Sequence, residues 1–187
     1  MKPLLILVVA VAALAGCATD PGRRAKVAQE ESARLAAPTT PLSSYGTFEL
    51  KPMEMAPEVA NDSAKAAVAK DLEARMQARM QPLLAQWTAQ DANSAAAGRA
   101  LILQPRVIKI RIIGGATRFF AGALAGDSSI DMDLELKDVA TGTVIAKPRI
   151  VRNANAMAGT WSIGATDRNL LDYIADIATR YLQDNRK

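Results

Sequence analysis

An α+β domain, with two main helices on one face of a mostly antiparallel sheet and a flexible tether in front of it, is what three features of this 187-residue chain predict. Two segments alternate apolar and charged residues with the two-residue period of a strand that has one wet face. Ile108, Ile110 and Ile112 alternate with Lys109 and Arg111, and Ile130, Met132, Leu134 and Leu136 alternate with Asp131, Asp133, Glu135 and Lys137. Two longer segments repeat apolar residues at helical spacing, around residues 64–81 and 166–182. Their order along the chain, strand, helix, strands and helix, places both helices against the same side of the sheet.

The ordered domain is expected over residues 45–187. It opens with Tyr45-Gly46-Thr47-Phe48-Glu49-Leu50, which has the aromatic and alternating character of a strand, and Pro52 ends that strand. Asn61-Asp62-Ser63 offers caps for a helix from Ala64 to Gln81, with Val68, Leu72, Met76 and Met80 in one stripe. Such a methionine stripe is core packing sooner than a binding groove. Pro82 is expected to kink or restart the helix before Trp87. A strand follows over residues 101–113, then the acidic strand, then a third alternation of Val144, Ala146 and Ile150 against Lys147 and Arg149.

Between the last two strands, Asp138-Val139-Ala140-Thr141-Gly142 reads as a turn in which Gly142 supplies a positive φ. A hairpin closed there sets Leu136 opposite Val144, Asp133 opposite Lys147 and Asp131 opposite Arg149. With Lys109 and Arg111 on the other side of the acidic strand, the outer face becomes a set of cross-strand ion pairs. The final helix is capped by Thr166-Asp167 and presents Leu170, Leu171, Ile174, Ile177, Ala178, Tyr181 and Leu182 to the sheet.

The N-terminus has a different organisation. Lys2 precedes an apolar run from Leu4 to Leu14, too short for the roughly 20 residues a helix needs to cross a bilayer. Positive charge, apolar run and small residues are the layout of a removable secretory signal over residues 1–16. Its last residues and their neighbour, Leu14, Ala15, Gly16 and Cys17, resemble the bacterial lipobox. That resemblance implies cleavage before Cys17, a lipid on its sulfur, and three acyl chains in the mature protein. Ala18 in place of an aspartate implies, by the same resemblance, transfer to the outer membrane, on the periplasmic side. Cys17 is the chain's one cysteine, so no internal disulfide is available and the core must suffice. Residues 17–44 carry Pro21, Pro38 and Pro41 with runs of small and charged residues and are expected to be the tether. As flexible coil they reach roughly 30 Å, with room for a short helix between Arg24 and Ala36.

Composition narrows the function. Histidine is absent, which removes the commonest general base and the usual neutral metal ligand. With no free thiol either, Ser-His-Asp, Cys-His and ordinary zinc sites are excluded. Lys and Arg number 23 against 19 Asp and Glu, a mild excess interspersed with acids, and only 4% of residues are aromatic; nucleic acid is not an expected partner. Asp131, Asp133 and Glu135 lie at alternate positions about 6.7 Å apart, a spacing that does not forbid carboxylate catalysis, yet their basic neighbours give a plain ionic account. Ser63 beside Lys65 is a helix cap sooner than a Ser-Lys dyad.

The least ordinary stretch is Gly114-Gly115-Ala116-Thr117-Arg118-Phe119-Phe120-Ala121-Gly122-Ala123-Leu124-Ala125-Gly126-Asp127. It lacks the Lys-Ser/Thr of a phosphate-binding loop, and its apolar part is too short to span a bilayer. Either it packs internally as a tight crossover, the favoured reading, or it presents Phe119, Phe120 and Leu124, with Gly114, Gly115 and Arg118, to a partner or a membrane surface. A paired glycine, an arginine and further glycines before a strand, then an Asp-x-x-Thr-Gly turn, resemble a family of exported bacterial lipoproteins whose domain has no assigned function. The residues concerned are Gly114, Gly115, Arg118, Gly122, Gly126, Asp138, Thr141 and Gly142, and the resemblance covers roughly Tyr45 to Tyr181. The layout is more loosely similar to accessory lipoproteins of envelope machines. The expectation is therefore a non-enzymatic envelope protein, anchored by Cys17 and binding another envelope protein, with no cofactor or metal. A binder of lipid or another small apolar ligand, in a pocket under the glycine-rich loop, is the alternative, and a carboxylate-dependent hydrolase comes third.

Overall fold

The computed structural model describes residues 21–112, 128–153 and 165–187. Its elements are α1 (Pro21–Ser32), a 3-10 turn (Leu42–Ser44), β1 (Thr47–Leu50), β2 (Glu54–Met55), α2 (Pro57–Ala60), α3 (Ser63–Asp91), β3 (Ala100–Arg111), β4 (Ser129–Asp138), β5 (Val144–Ala146), β6 (Arg149–Asn153) and α4 (Ala165–Asp184). The sheet is mostly antiparallel, as expected: β4 runs antiparallel to β3, β5 and β6, while β1 and β2 lie parallel to β3. Each edge is a pair of short strands broken around a proline, Pro52 between β1 and β2 and Pro148 between β5 and β6. A proline has no N–H to give a ladder, so it interrupts an edge where it would wreck a centre.

Pro105 tests that rule, because it sits within the central strand β3, opposite Leu134. Leu134 N–H donates to Pro148 O, away from β3, so the 105–134 pair exchanges no hydrogen bonds and Pro105 turns its nitrogen to the other side. There the edge is broken: Lys51 N–H and Ala56 N–H reach Leu103 O and Val107 O on either side of the gap. The missing donor falls where no acceptor waits for it.

The buried face of the sheet carries Leu101, Leu103, Val107, Ile110, Ile130, Met132, Leu134, Leu136, Ile145 and Ile150, covered by α3 and α4. The α4 stripe is buried at all seven expected positions. In α3, Leu72, Met76 and Met80 are buried and the stripe continues to Leu84 and Trp87, because the helix runs unbroken through Pro82. Pro82 is exposed, so water can take the Ala78 carbonyl that its missing N–H leaves unpaired. Asp62, not Ser63, is the cap, accepting from Ala64 N–H and Lys65 N–H through Oδ1. Lys65 in turn reaches Asp62 Oδ2 at 3.4 Å, which favours neither a Ser63-Lys65 dyad nor a Ser63 cap.

Two expected alternations are corrected by bulges. The β3–β4 register shifts between Val107 and Lys109, so the inward row passes from Leu103 and Val107 to Ile110 and leaves Ile108 only partly buried, while Ile112, beyond the end of β3, is exposed. On β4–β5, Lys137 pairs with Val144 and Leu136 with Ala146, leaving Ile145 as the extra residue; it turns inward and Val144 turns out. The hairpin is thereby displaced from the expected register, with Asp133 opposite Arg149 and Asp131 opposite Val151. The displacement is two residues, so inner and outer faces are preserved.

The largest correction concerns the tether. The short helix for which there was room between Arg24 and Ala36 does form, as Pro21–Ser32, but the segment is docked rather than free: α1 packs against α4, Ala28 and Leu42 are buried, and Thr39 N–H donates to Ile145 O at the outer edge of β5. The composition misled because α1 buries little apolar surface, only Ala28 fully. Full burial of one large side chain gives roughly 1.5–3 kcal/mol, which α1 lacks, and polar contacts hold it instead.

Candidate functional site

Those polar contacts define one pole of the domain. On α4, Asp172 and Asp176 stand one turn apart on the flank that faces α1 and α3. Arg75 and Arg79, one turn apart on α3, reach Asp172 at 2.7 and 2.6 Å, and Arg79 also reaches Asp176 at 2.7 Å. Arg24 of α1 adds a third guanidinium, 2.6 Å from Asp176 and 3.7 Å from Asp172. Burial pushes the Asp172 carboxyl up and its hydrogen bonds to Arg75 and Arg79 outweigh this, leaving it below the ordinary carboxylate range. Further along α1, Glu31 pairs with Arg152 of β6 at 3.1 Å, Ser32 Oγ donates to Asp184, and Tyr181 donates to Ala36 O. Arg24 beside Asp176, and Ser32 beside Asp184, show that α1 and α4 run parallel.

The start of α1 therefore lies at the same pole as the start of α4. The ends of β3 and β6 and the starts of α3 and β4 lie there too. A small cavity of about 150 Å³ marks it, lined by Val68, Asp71, Ile110, Arg111, Ile112, Ser128, Ile130, Leu170 and Leu171. Ile112 and Ser128 are the roots of the glycine-rich connection. Gly114, Gly115, Arg118, Phe119, Phe120 and Leu124 lie outside the described residues, as do Leu14, Ala15, Gly16 and Cys17. Arg111 and Ile112, which flank that connection, are both exposed.

The uncovered sheet face carries the expected charge stripes. Arg149 Nε meets Asp131 at 2.8 Å, and Lys147 meets Glu135 at 3.1 Å and Asp133 at 3.9 Å. Asp131 and Asp133 are thus matched to Arg149 and Lys147 diagonally across the strands, and Glu135 to the Lys147 opposite it, where the displaced register still brings them within reach. The carboxylate row has the ionic role its neighbours suggested.

The opposite pole holds the turn and a polar clasp. Gly142 has φ +70°, and Asp138 Oδ1 accepts Ala140 N–H and Thr141 N–H. Asp138 Oδ2 accepts Tyr45 OH at 3.0 Å and Arg99 at 2.9 Å, with the Arg99 guanidinium 4.5 Å from the Tyr45 ring centre. Arg99 and the Thr141 N–H hold the Asp138 carboxyl down at about 2, against an ordinary 3.8. A depressed carboxyl stabilises the fold fully above its unfolded value and loses that contribution as pH falls through its folded value. The clasp is thus intact above pH 4 and fails between about 4 and 2. Thermal midpoints of Asp138→Asn are expected to lie below wild type at pH 7 and to converge on it by about pH 2; a constant difference across that range would refute the assignment.

Sequence reasoning named Tyr45 and Asp138 singly but not their bond, and missed the arginine and aspartate cluster. Its signal was available as paired charges one turn apart on two helices, Arg75 with Arg79 and Asp172 with Asp176.

Neither a protein-family model nor a curated protein matches the chain. Solved structures that align with it include a PelC dodecamer from Paraburkholderia phytofirmans, with a TM-score of 0.44, 17% identity, and coverage of 80% of this chain and 95% of that one. A Caulobacter crescentus protein provisionally described as a lipoprotein aligns with a TM-score of 0.31 and 18% identity over 87% of this chain and 94% of that one. A Xanthomonas campestris protein of the DUF330 family aligns with a TM-score of 0.34 and 10% identity over 80% and 92%.

Proposed function

We propose that this chain is a lipid-anchored, non-enzymatic protein of the cell envelope, in bacteria with an outer membrane a periplasm-facing one, whose domain binds another envelope protein. The observation that carries the reading is the join between Leu14-Ala15-Gly16-Cys17 and a helix docked on the domain from Pro21. An acylated Cys17 holds a folded body close to a bilayer, and an accessory role follows from closeness to membrane machinery. Among the described residues no helix is long and apolar enough to cross a membrane; in this reading the anchor is the lipid on Cys17.

Cross-linking in intact cells followed by capture of the tagged protein tests the partner. A discrete cross-linked species is expected with wild type, and its loss in Phe119→Ser with Phe120→Ser, at unchanged abundance, would assign the glycine-rich connection to the interface. No cross-linked species at any level of expression would refute the accessory role. Among the described residues two apolar hollows bear on the small-ligand reading: the cavity at the roots of that connection, which at about 150 Å³ falls short of the roughly 300–1,000 Å³ of ordinary ligand sites, and a cleft of about 570 Å³ between β1 and α3, lined by Phe48, Leu50, Leu84 and Ala85. The second is large enough but wide open to water, so it encloses little of a ligand's surface, and gentle mass spectrometry is expected to show no retained ligand.

A further inference from the structure

We propose that the pole bearing Arg23, Arg111 and Ile112 faces the acidic surface of a phospholipid bilayer, with the 138–142 turn directed away from it. This rests on the acylation of Cys17 proposed above. Only three residues, Ala18 to Asp20, separate Cys17 from Pro21, and the four steps from one Cα to the next reach at most about 14 Å when fully extended. Beyond Pro21 the chain is fastened: Arg24 is held by Asp172 and Asp176, Glu31 by Arg152, and Ser32 by Asp184. Because α1 runs parallel to α4, Pro21 lies about 4.5 Å, three helical residues, beyond Arg24 toward the start of α4. That start carries Leu170 and Leu171, which share a cavity wall with Arg111 and Ile112.

The opposite pole is a helix length away. The 20 residues of α4 span about 30 Å, twice what the Cys17 linker can reach. A lipid on Cys17 can therefore enter the bilayer beneath the first pole with α1 still docked, and cannot do so beneath the turn.

The chemistry of that pole suits a lipid surface. Arg23 and Arg111 are exposed, and guanidinium groups bind phosphate through paired hydrogen bonds. Ile112 is 40% exposed, an apolar side chain at the height where an interfacial residue enters the headgroup boundary. Each basic residue held near an acidic leaflet strengthens the contact about fivefold.

The test uses the full-length, processed protein in vesicles of phosphatidylethanolamine and phosphatidylglycerol containing an energy-acceptor lipid. A donor dye is placed on Ile112→Cys or Val139→Cys, two exposed positions at opposite poles. Alkylation of the Cys17 sulfur leaves the introduced thiol as the reactive one. Strong transfer from position 112 and weak transfer from position 139 are expected, and Arg23→Glu with Arg111→Glu should lower transfer from 112 at unchanged acyl mass. Equal or reversed transfer in an acylated protein overturns the orientation and leaves the lipoprotein reading intact. Unchanged transfer after charge reversal overturns the headgroup contact. A chain whose mass shows no acylation overturns both readings.

Discussion

Gly46→Ala is expected to lower the stability of the fold by about 3 kcal/mol, the upper part of the range for overpacking, and Gly46→Val by more. A Cβ at this position would lie 2.6 Å from both Ala96 O and Ala97 Cα. Both are backbone atoms, so no side-chain rotation relieves the clash and a strand or the 92–99 loop must move. The cost spreads because Gly46 N–H and Thr47 N–H both donate to Arg99 O. Arg99 is the residue that, with Tyr45, fastens Asp138. Pushing the 96–97 backbone outward therefore strains the clasp at the end of β4 as well as the start of β1. For a domain of this size each kcal/mol moves the thermal midpoint by roughly 2–4 °C, so the alanine variant should melt about 6–12 °C below wild type. Gly98→Ala is the control, since nothing lies within 4 Å of its added carbon. A Gly46→Ala protein that melts with the control would show that the close approach is not real.

The elements that could be read from the sequence were those whose packing leaves a local periodic mark. The α4 stripe and the inward row of β4 are buried as the alternations require, because one continuous face of each meets the core. The turn at residues 138–142 was legible because its conformation needs a particular residue, and Gly142 is at φ +70°. What failed depended on partners distant in sequence. Nothing near Ile108 or Ile145 announces a bulge; each arises where one strand must take up a residue its neighbour lacks, and each moves isoleucine or valine to an unexpected face. The docking of α1 was hidden for the related reason that its partners are single charges. Arg24 looks like any solvated arginine until α4 supplies Asp172 and Asp176. The face-to-face charge stripes survived a mistaken register, since a two-residue displacement keeps every side chain on its own face.

The Cys17→Ser chain is expected to leave the membrane fraction almost completely. One acyl chain of myristoyl length binds a bilayer with a constant of only about 10⁴ M⁻¹, and stable attachment needs a second chain or its equivalent. Three chains, as the lipobox resemblance implies, give attachment that washing in salt or carbonate does not reverse. Removing them leaves the Arg23, Arg111 and Ile112 surface, whose few contacts are screened within about 8 Å at physiological salt. The bound fraction should therefore fall by at least about 100-fold on the same arithmetic of buried chain length, and any residue should wash off as salt rises. Intact mass adds an independent reading: wild type should match a chain that starts at Cys17 and carries its acyl groups, whereas the serine variant released from the membrane should match a chain that has lost its signal and carries none. Because Cys17 precedes the docked helix, the substitution should leave the thermal midpoint of the domain where it was, separating lost anchorage from lost folding. A serine variant that stays in the membrane fraction after carbonate washing, with a wild-type mass lacking acyl groups, would place the attachment elsewhere in the chain.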